Sequence, residues 1–149
     1  LNCSIDAIGA LNKYIRYPSN WSNIEGNFKT VRQLPNANIE IHSTVQMYNI
    51  LRLTDLIEWA KPYKHKIYFN ILNHPDYLNI RCLPPHLKAQ VTNNLQPYQD
   101  LDRVTGIIDY MNAEDWSDKL PEFGRCTRIL DKSRDENILD HIPEFVDYA

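Results

Sequence analysis

The sequence predicts an α/β fold in which parallel βαβ units lead into a mostly helical second half. Two patterns predict it: hydrophobicity switches between helical and strand periods through residues 1–72, and helical stripes alone continue beyond. A third observation bounds the answer. The chain has 149 residues, 43% hydrophobic and 23% charged, which is the size and composition of a single domain able to bury a core without staples.

Leu1 to Asp6 reads as the end of a strand, and a turn containing Gly9 follows. From Ser19 to Leu34 the apolar residues Trp21, Ile24, Phe28, Val31 and Leu34 recur every three or four positions, the stripe of an amphipathic helix. Ser22 and Glu25 have capping-box spacing, Ser19 competes for the cap, and Pro35-Asn36 ends the helix. Asn38 to Val45 then alternates with period two: Ile39, Ile41, Ser43 and Val45 share one face, and Glu40, His42 and Thr44 the other. A helix from about Asn49 to Ala60 buries Leu53, Leu56, Ile57 and Ala60 and stops at Pro62. Lys66 to Leu72 is a further strand. Strands joined through helices by short connections lie parallel, and such sheets place their chemistry at the carboxyl ends of the strands.

After the turn-rich stretch Asn73–Tyr77, Pro84-Pro85 opens a helix running to about Leu95. Further helices are expected over Gln99–Asn112, with Leu101, Val104, Ile108 and Met111 inward, and over Asp118–Ser133, with Leu120, Phe123, Cys126 and Leu130 inward. A short last one uses Ile138, Leu139, Ile142 and Phe145. No repeat or linker divides the chain, so one domain is expected over 1–149: a βα portion over 1–75 and a helical extension over 76–149 packed on it.

Sixteen basic against nineteen acidic side chains, scattered along the chain, argue against a phosphate-tracking surface, so no nucleic-acid partner is indicated. No apolar run is long enough to span a bilayer, so no membrane is indicated either. Three cysteines far apart, Cys3, Cys82 and Cys126, fit neither a disulfide framework nor a zinc site, which points to a reducing, cytoplasmic location. The sequons at Asn2 and Asn20 are chance occurrences on that view. A start in what reads as the end of a strand suggests the carboxy-terminal part of something longer.

The polar strand face of Glu40, His42 and Thr44 has two readings, a solvated edge or the lining of an open barrel lumen. Ser4 and Asp6 at the first strand's end, with Arg16 after the turn, are equally two-sided. A Ser/Asp pair binds hydroxyl or ammonium groups and an arginine forks onto a carboxylate, or Asp6 caps a turn and Arg16 is a solvated charge. No histidine sits in a nucleophile or metalloprotease motif; His65, His74, His86 and His141 are expected in turns or at helix ends. Trp59 and Tyr68 are expected to be packing residues. Asp109, Glu114, Asp115 and Asp118 read as a solvated face and cap, not as a metal site.

The opening Asn-Cys-Ser-Ile-Asp-Ala-Ile-Gly and the segment Tyr14-Ile15-Arg16-Tyr17-Pro18-Ser19-Asn20-Trp21 resemble the fourth strand and following helix of radical S-adenosylmethionine proteins. Ile39 to Asn49 with its Leu-rich helix is similar to their fifth strand. Leu130-Asp131-Lys132-Ser133-Arg134, Ile138-Leu139-Asp140 and Pro143-Glu144-Phe145 resemble the tail of a subgroup found in phage and environmental bacterial genomes. The likeness covers most of the chain but lacks the family's Cys-x-x-x-Cys-x-x-Cys loop and its Gly-Gly-Glu motif, both expected upstream of Leu1.

What the resemblance implies is the carboxy-terminal half of an open, TIM-like βα barrel that binds S-adenosylmethionine, with the [4Fe–4S] cluster held by an amino-terminal part outside this chain. Ser4 would contact the cofactor's ribose or amino-acid portion, Asp6 would support it, and Arg16 would meet its carboxylate. His42, Thr44 and Asn70 would face the lumen near the adenine or the substrate, with Leu72 beside them. The implied chemistry is reductive cleavage of the cofactor to a 5′-deoxyadenosyl radical that abstracts hydrogen, a reaction this chain alone does not complete. The substrate is left open: a peptide, a nucleotide derivative and a small metabolite all fit. The residues by themselves equally suit a non-catalytic α/β binding module.

Overall fold

The computed structural model describes residues 1–63 and 66–149, so the expectation for His65 lies outside the described residues. Three strands, β1 (Asn2–Ser4), β2 (Glu40–Val45) and β3 (Lys66–Ile71), form one parallel sheet in the order β1-β2-β3. The connections are helical, as a parallel sheet requires: α1 (Gly9–Ile15) and α2 (Trp21–Val31) join β1 to β2, and α3 (Leu53–Ala60), preceded by a 3₁₀ turn at Ile50–Arg52, joins β2 to β3. Ser4 stands opposite His42 and His42 opposite Tyr68; Thr44 stands opposite Asn70.

This register sorts the side chains by parity. Ile41, Ser43, Val45 and Phe69 are buried on one face, and the three apolar ones join a core cluster that also holds Phe28, Leu56 and Ile57. The other face, with Ser4, His42, Thr44, Tyr68 and Asn70, is half-buried or exposed along all three strands.

The helical extension comprises α4 (Pro85–Leu95), α5 (Val104–Ala113) and α6 (Leu120–Arg134), ending in 3₁₀ turns at Ile138–Asp140 and Pro143–Phe145. Ile80, Leu83, Val91, Met111, Phe123 and Phe145 share the buried cluster of the sheet, so one core runs through both halves. Polar contacts stitch them further. Met47 N–H donates to the Leu78 carbonyl at 2.9 Å, the Tyr48 and Thr127 hydroxyls meet at 2.9 Å, and Arg52 forks onto Glu144 at 2.8 and 2.7 Å. Among the described residues no helix is long and apolar enough to cross a membrane.

Four local expectations are corrected. The segment after β1 is a seven-residue helix, not a simple turn; it lacks a capping side chain and is held by burial of Leu11, Asn12 and Tyr14. Asn20 caps α2 by accepting from Asn23 N–H at 3.1 Å, while Glu25 is taken by Trp59 and Lys29. Leu34 lies beyond the end of α2 and is 52% exposed. Leu101 precedes α5, which starts only after Arg103 turns left-handed at φ 69°, and is 43% exposed. Trp59 packs as expected, its ring 5.3 Å from Trp21, 5.0 Å from Phe28 and 5.4 Å from Tyr63.

Candidate functional site

Polar residues converge where β1 and β2 end. Asp6 is 4% exposed and both its carboxylate oxygens are engaged: Oδ1 accepts from Thr44 N–H at 2.8 Å, and Oδ2 lies 2.8 Å from Arg16 Nε. Neighbouring asparagines hold the backbone of Asp6. Asn12 Oδ1 accepts from the N–H groups of Asp6 and Ala7 at 3.2 and 3.3 Å. Asn49, fully buried, donates from Nδ2 to the carbonyls of Asp6 and Thr44 at 2.8 Å each, and its Oδ1 accepts from Gln46 N–H at 2.8 Å. One amide thereby ties the carboxyl ends of two parallel strands together. Without it those buried backbone groups would lack partners.

Arg16 closes this ring. Its backbone caps α1, with N–H donating to the Asn12 carbonyl at 2.9 Å, and its side chain is 35% exposed. Nε is its nearest atom to Asp6, and its N–H points off the line to the oxygen. Among the described residues the two terminal guanidinium nitrogens donate no hydrogen bond, and they form the fork geometry that suits a carboxylate.

Below this ring, toward the strands' amino ends, the open sheet face carries a second polar group. The His42 ring stacks on Tyr68 with centroids 5.0 Å apart and planes 24° apart, and the Tyr68 hydroxyl donates to Glu40 at 3.3 Å. His42 Nε2 is 3.7 Å from Glu40 Oε2 and has no hydrogen-bond partner among the described residues. Lys66 Nζ lies 4.6 Å from the Tyr68 ring centroid and 3.8 Å from Asp102; the Tyr68 side chain first, then Asp102 and Glu40, hold its pKa above the ordinary value. Tyr68 is therefore part of the open face and not of the core, contrary to the packing role expected from sequence. Alternation along β3 places it there, opposite His42.

The structure brings Asp6, Arg16 and Thr44 together, Thr44 through its backbone. Ser4, His42 and Asn70 share the sheet face that leads to them, and the Ser4 and Asn70 side chains are exposed with no protein partner among the described residues. Asn12 and Asn49 were not singled out by sequence as site residues, since nothing in its spacing marks an asparagine that satisfies buried backbone. Residues expected to be solvated or to cap behave so: His74 is exposed beside Asp76, and Glu114 pairs with Arg81 at 2.7 Å while Asp115 caps Ser117 N–H at 2.9 Å.

Two ligand classes can be compared with this arrangement. For a cofactor with hydroxyls, a heteroaromatic ring and a carboxylate, the groups that could meet it are exposed Ser4 and Asn70, His42 Nε2 and the terminal guanidinium nitrogens of Arg16. An iron–sulfur cluster does not fit the chain's own donors. Cys3 is in β1, Cys82 is buried in the turn before α4, Cys126 is in α6, and no three metal-ligating side chains converge among the described residues. No family model, curated protein or solved structure matches the chain.

Proposed function

We propose that this chain is the carboxy-terminal part of a radical S-adenosylmethionine enzyme, that it contributes cofactor binding and substrate positioning, and that polypeptide outside these 149 residues holds the [4Fe–4S] cluster. The observation that carries the reading is the Asp6-Arg16-Thr44-Asn49 ring at the carboxyl ends of a parallel sheet whose polar face is left uncovered. That is where open βα folds bind ligands, and a half-barrel wall has this one-sided polarity.

In this reading Arg16 takes the cofactor's carboxylate, and Ser4 hydrogen-bonds its ribose or amino-acid portion. Asp6 holds Arg16 and carries the counter-charge that keeps a bare guanidinium at the rim. His42, Thr44 and Asn70 line the wall on which adenine or substrate rests. The bound cofactor supplies the radical chemistry, and the chain's residues orient it and keep water from its carboxylate end.

Titration of S-adenosylmethionine into the complete protein tests this. Arg16→Ala and Ser4→Ala each weaken binding, Arg16→Ala by about ten- to a hundredfold, the worth of a charge-assisted fork; Ser4→Ala leaves the unfolding midpoint almost unchanged, whereas Arg16→Ala also lowers it because the buried Asp6 loses its counter-charge. Undiminished binding in both variants would end the assignment and leave an α/β interaction module as the account of this fold.

A further inference from the structure

The last turn of α6 lies more than a hundred residues from Arg16 in sequence, yet it grips the segment that presents it. Tyr14 donates its hydroxyl to Asp131 Oδ1 at 2.8 Å. Arg134 Nη1 donates to the Tyr14 carbonyl at 2.9 Å, and its guanidinium carbon sits 5.0 Å from the Tyr17 ring centroid. Lys13 pairs with Glu136 at 3.0 Å. These contacts fall on Lys13, Tyr14 and Tyr17, which flank Arg16 on both sides.

Such a grip matters because α1 has seven residues. A helix that short does not hold its own geometry in water, and its posture is set by what packs against it. Asp6 lies 2.8 Å from Nε of Arg16 in an ion pair that is not an aligned hydrogen bond. The backbone from which that side chain springs is held by α6. The grip is itself braced, since Asp131 Oδ2 accepts from Ile138 N–H at 3.2 Å and the Asp131 carbonyl accepts from Glu136 N–H at 3.1 Å. Tyr14 is 1% exposed, and burial, then Tyr48, raises its pKa, so the hydroxyl remains a donor at ordinary pH.

We infer that Arg134 and Asp131, acting through Tyr14, are positioning residues for Arg16: the end of α6 sets how tightly the site holds a ligand carboxylate without touching the ligand. The inference rests on the reading of Arg16 as the carboxylate-binding group. It also gives the motif Leu130-Asp131-Lys132-Ser133-Arg134 a task that its distance from the sheet in sequence conceals.

The test uses the complete protein with two probes, S-adenosylmethionine and its decarboxylated analogue, together with the ¹⁵Nε relaxation of Arg16. The unaltered protein is expected to favour the carboxylate-bearing probe by about tenfold or more. Arg134→Met and, separately, Tyr14→Phe should shrink that preference to about threefold or less while leaving affinity for the decarboxylated probe unchanged, and should increase the motion of Arg16 Nε. Arg134→Lys should restore part of the preference. A merely structural role would weaken both probes equally, and that result overturns the inference, as does an Arg16 Nε as ordered in Arg134→Met as in the unaltered protein. If Arg16→Met leaves the preference intact, the carboxylate reading of Arg16 fails instead, and the relaxation data still decide whether α6 positions it.

Discussion

Asn49→Ala is the most informative single perturbation of the fold around the site. The side chain is fully buried and makes three hydrogen bonds of 2.8 Å, accepting from Gln46 N–H and donating to the Asp6 and Thr44 carbonyls. Truncation strands one backbone donor and two acceptors. Each buried orphan costs about 1–3 kcal/mol, with carbonyls toward the lower end because a second lone pair remains, so the expected loss is about 3–5 kcal/mol. For a domain of this size that lowers Tm by about 6–20 °C at 2–4 °C per kcal/mol. Urea unfolding followed by the fluorescence of Trp21, Trp59 and Trp116 would measure it, with an unchanged m-value showing that the same surface is exposed. Asn49→Asp supplies the control. It keeps the acceptor for Gln46 N–H but sets an anion against two carbonyl oxygens, so at pH 7 it should be no more stable than the alanine variant and should recover part of the loss as the carboxyl protonates in acid. A loss under about 1 kcal/mol for Asn49→Ala, or an Asn49→Asp protein of unaltered stability at pH 7, would refute the view that this amide clamps the two strand ends.

Three further outcomes are expected. Burial first, then Asp118 and Asp76, push the Cys82 thiol up to about 12, so at pH 8 about one molecule in ten thousand carries its thiolate; a thiol titration should count Cys3 and Cys126 in the folded chain and Cys82 only in denaturant, and equal rates for all three would contradict the packing. Glu144 is held below the usual carboxylate range chiefly by hydrogen bonding to Arg52, so its contribution is complete above the unfolded carboxyl pKa of about 4.3 and is lost as pH falls through the lowered folded value. The stability gap between the unaltered protein and Glu144→Gln should accordingly close in acid, and a gap independent of pH from 6 down to 2 would count against the pair. At Gly124 an added Cβ would collide with the Tyr148 carbonyl oxygen, so Gly124→Ala should lower Tm and speed carboxypeptidase release of the last residues, although alanine is the better helix former by about 1 kcal/mol; a stabilised variant would show that the tail does not rest on α6.

Much of the fold was legible because it depends on period. The alternation of Ile39, Ile41, Ser43 and Val45 against Glu40, His42 and Thr44 reports a strand with one covered face whatever lies over it, and β2 is that strand. The stripe of Leu53, Leu56, Ile57 and Ala60 likewise gives α3 its buried face. Periodicity fails where a neighbour decides the local structure. Helix α1 is too short and too poorly capped to announce itself, and it forms because Tyr14 is buried against Tyr48 and hydrogen-bonded to Asp131. Leu101 continues an apolar stripe in sequence but falls outside α5, because Arg103 adopts a left-handed turn and reaches the Phe69 carbonyl at 3.4 Å.

The site divides along the same line. Sequence by itself determined that Ser4 and Asp6 stand at a strand end and that His42 and Thr44 share a polar face, since strand parity is a local property of the chain; that Asn70 lies beside Thr44 on the same face is decided by the register of β3. Sequence also supplied Arg16 as a nearby cation. Only the tertiary structure decided that Asp6 spends its carboxylate on Arg16 and on the β2 backbone, that Asn12 and Asn49 hold Asp6 in place, and that α6 holds the segment carrying Arg16. The physical reason is that a buried hydrogen-bonding group must find a partner wherever the fold brings one: Asn12 lies 6 residues from Asp6, but Thr44 lies 38 residues from Asp6 and Arg134 lies 120 residues from Tyr14.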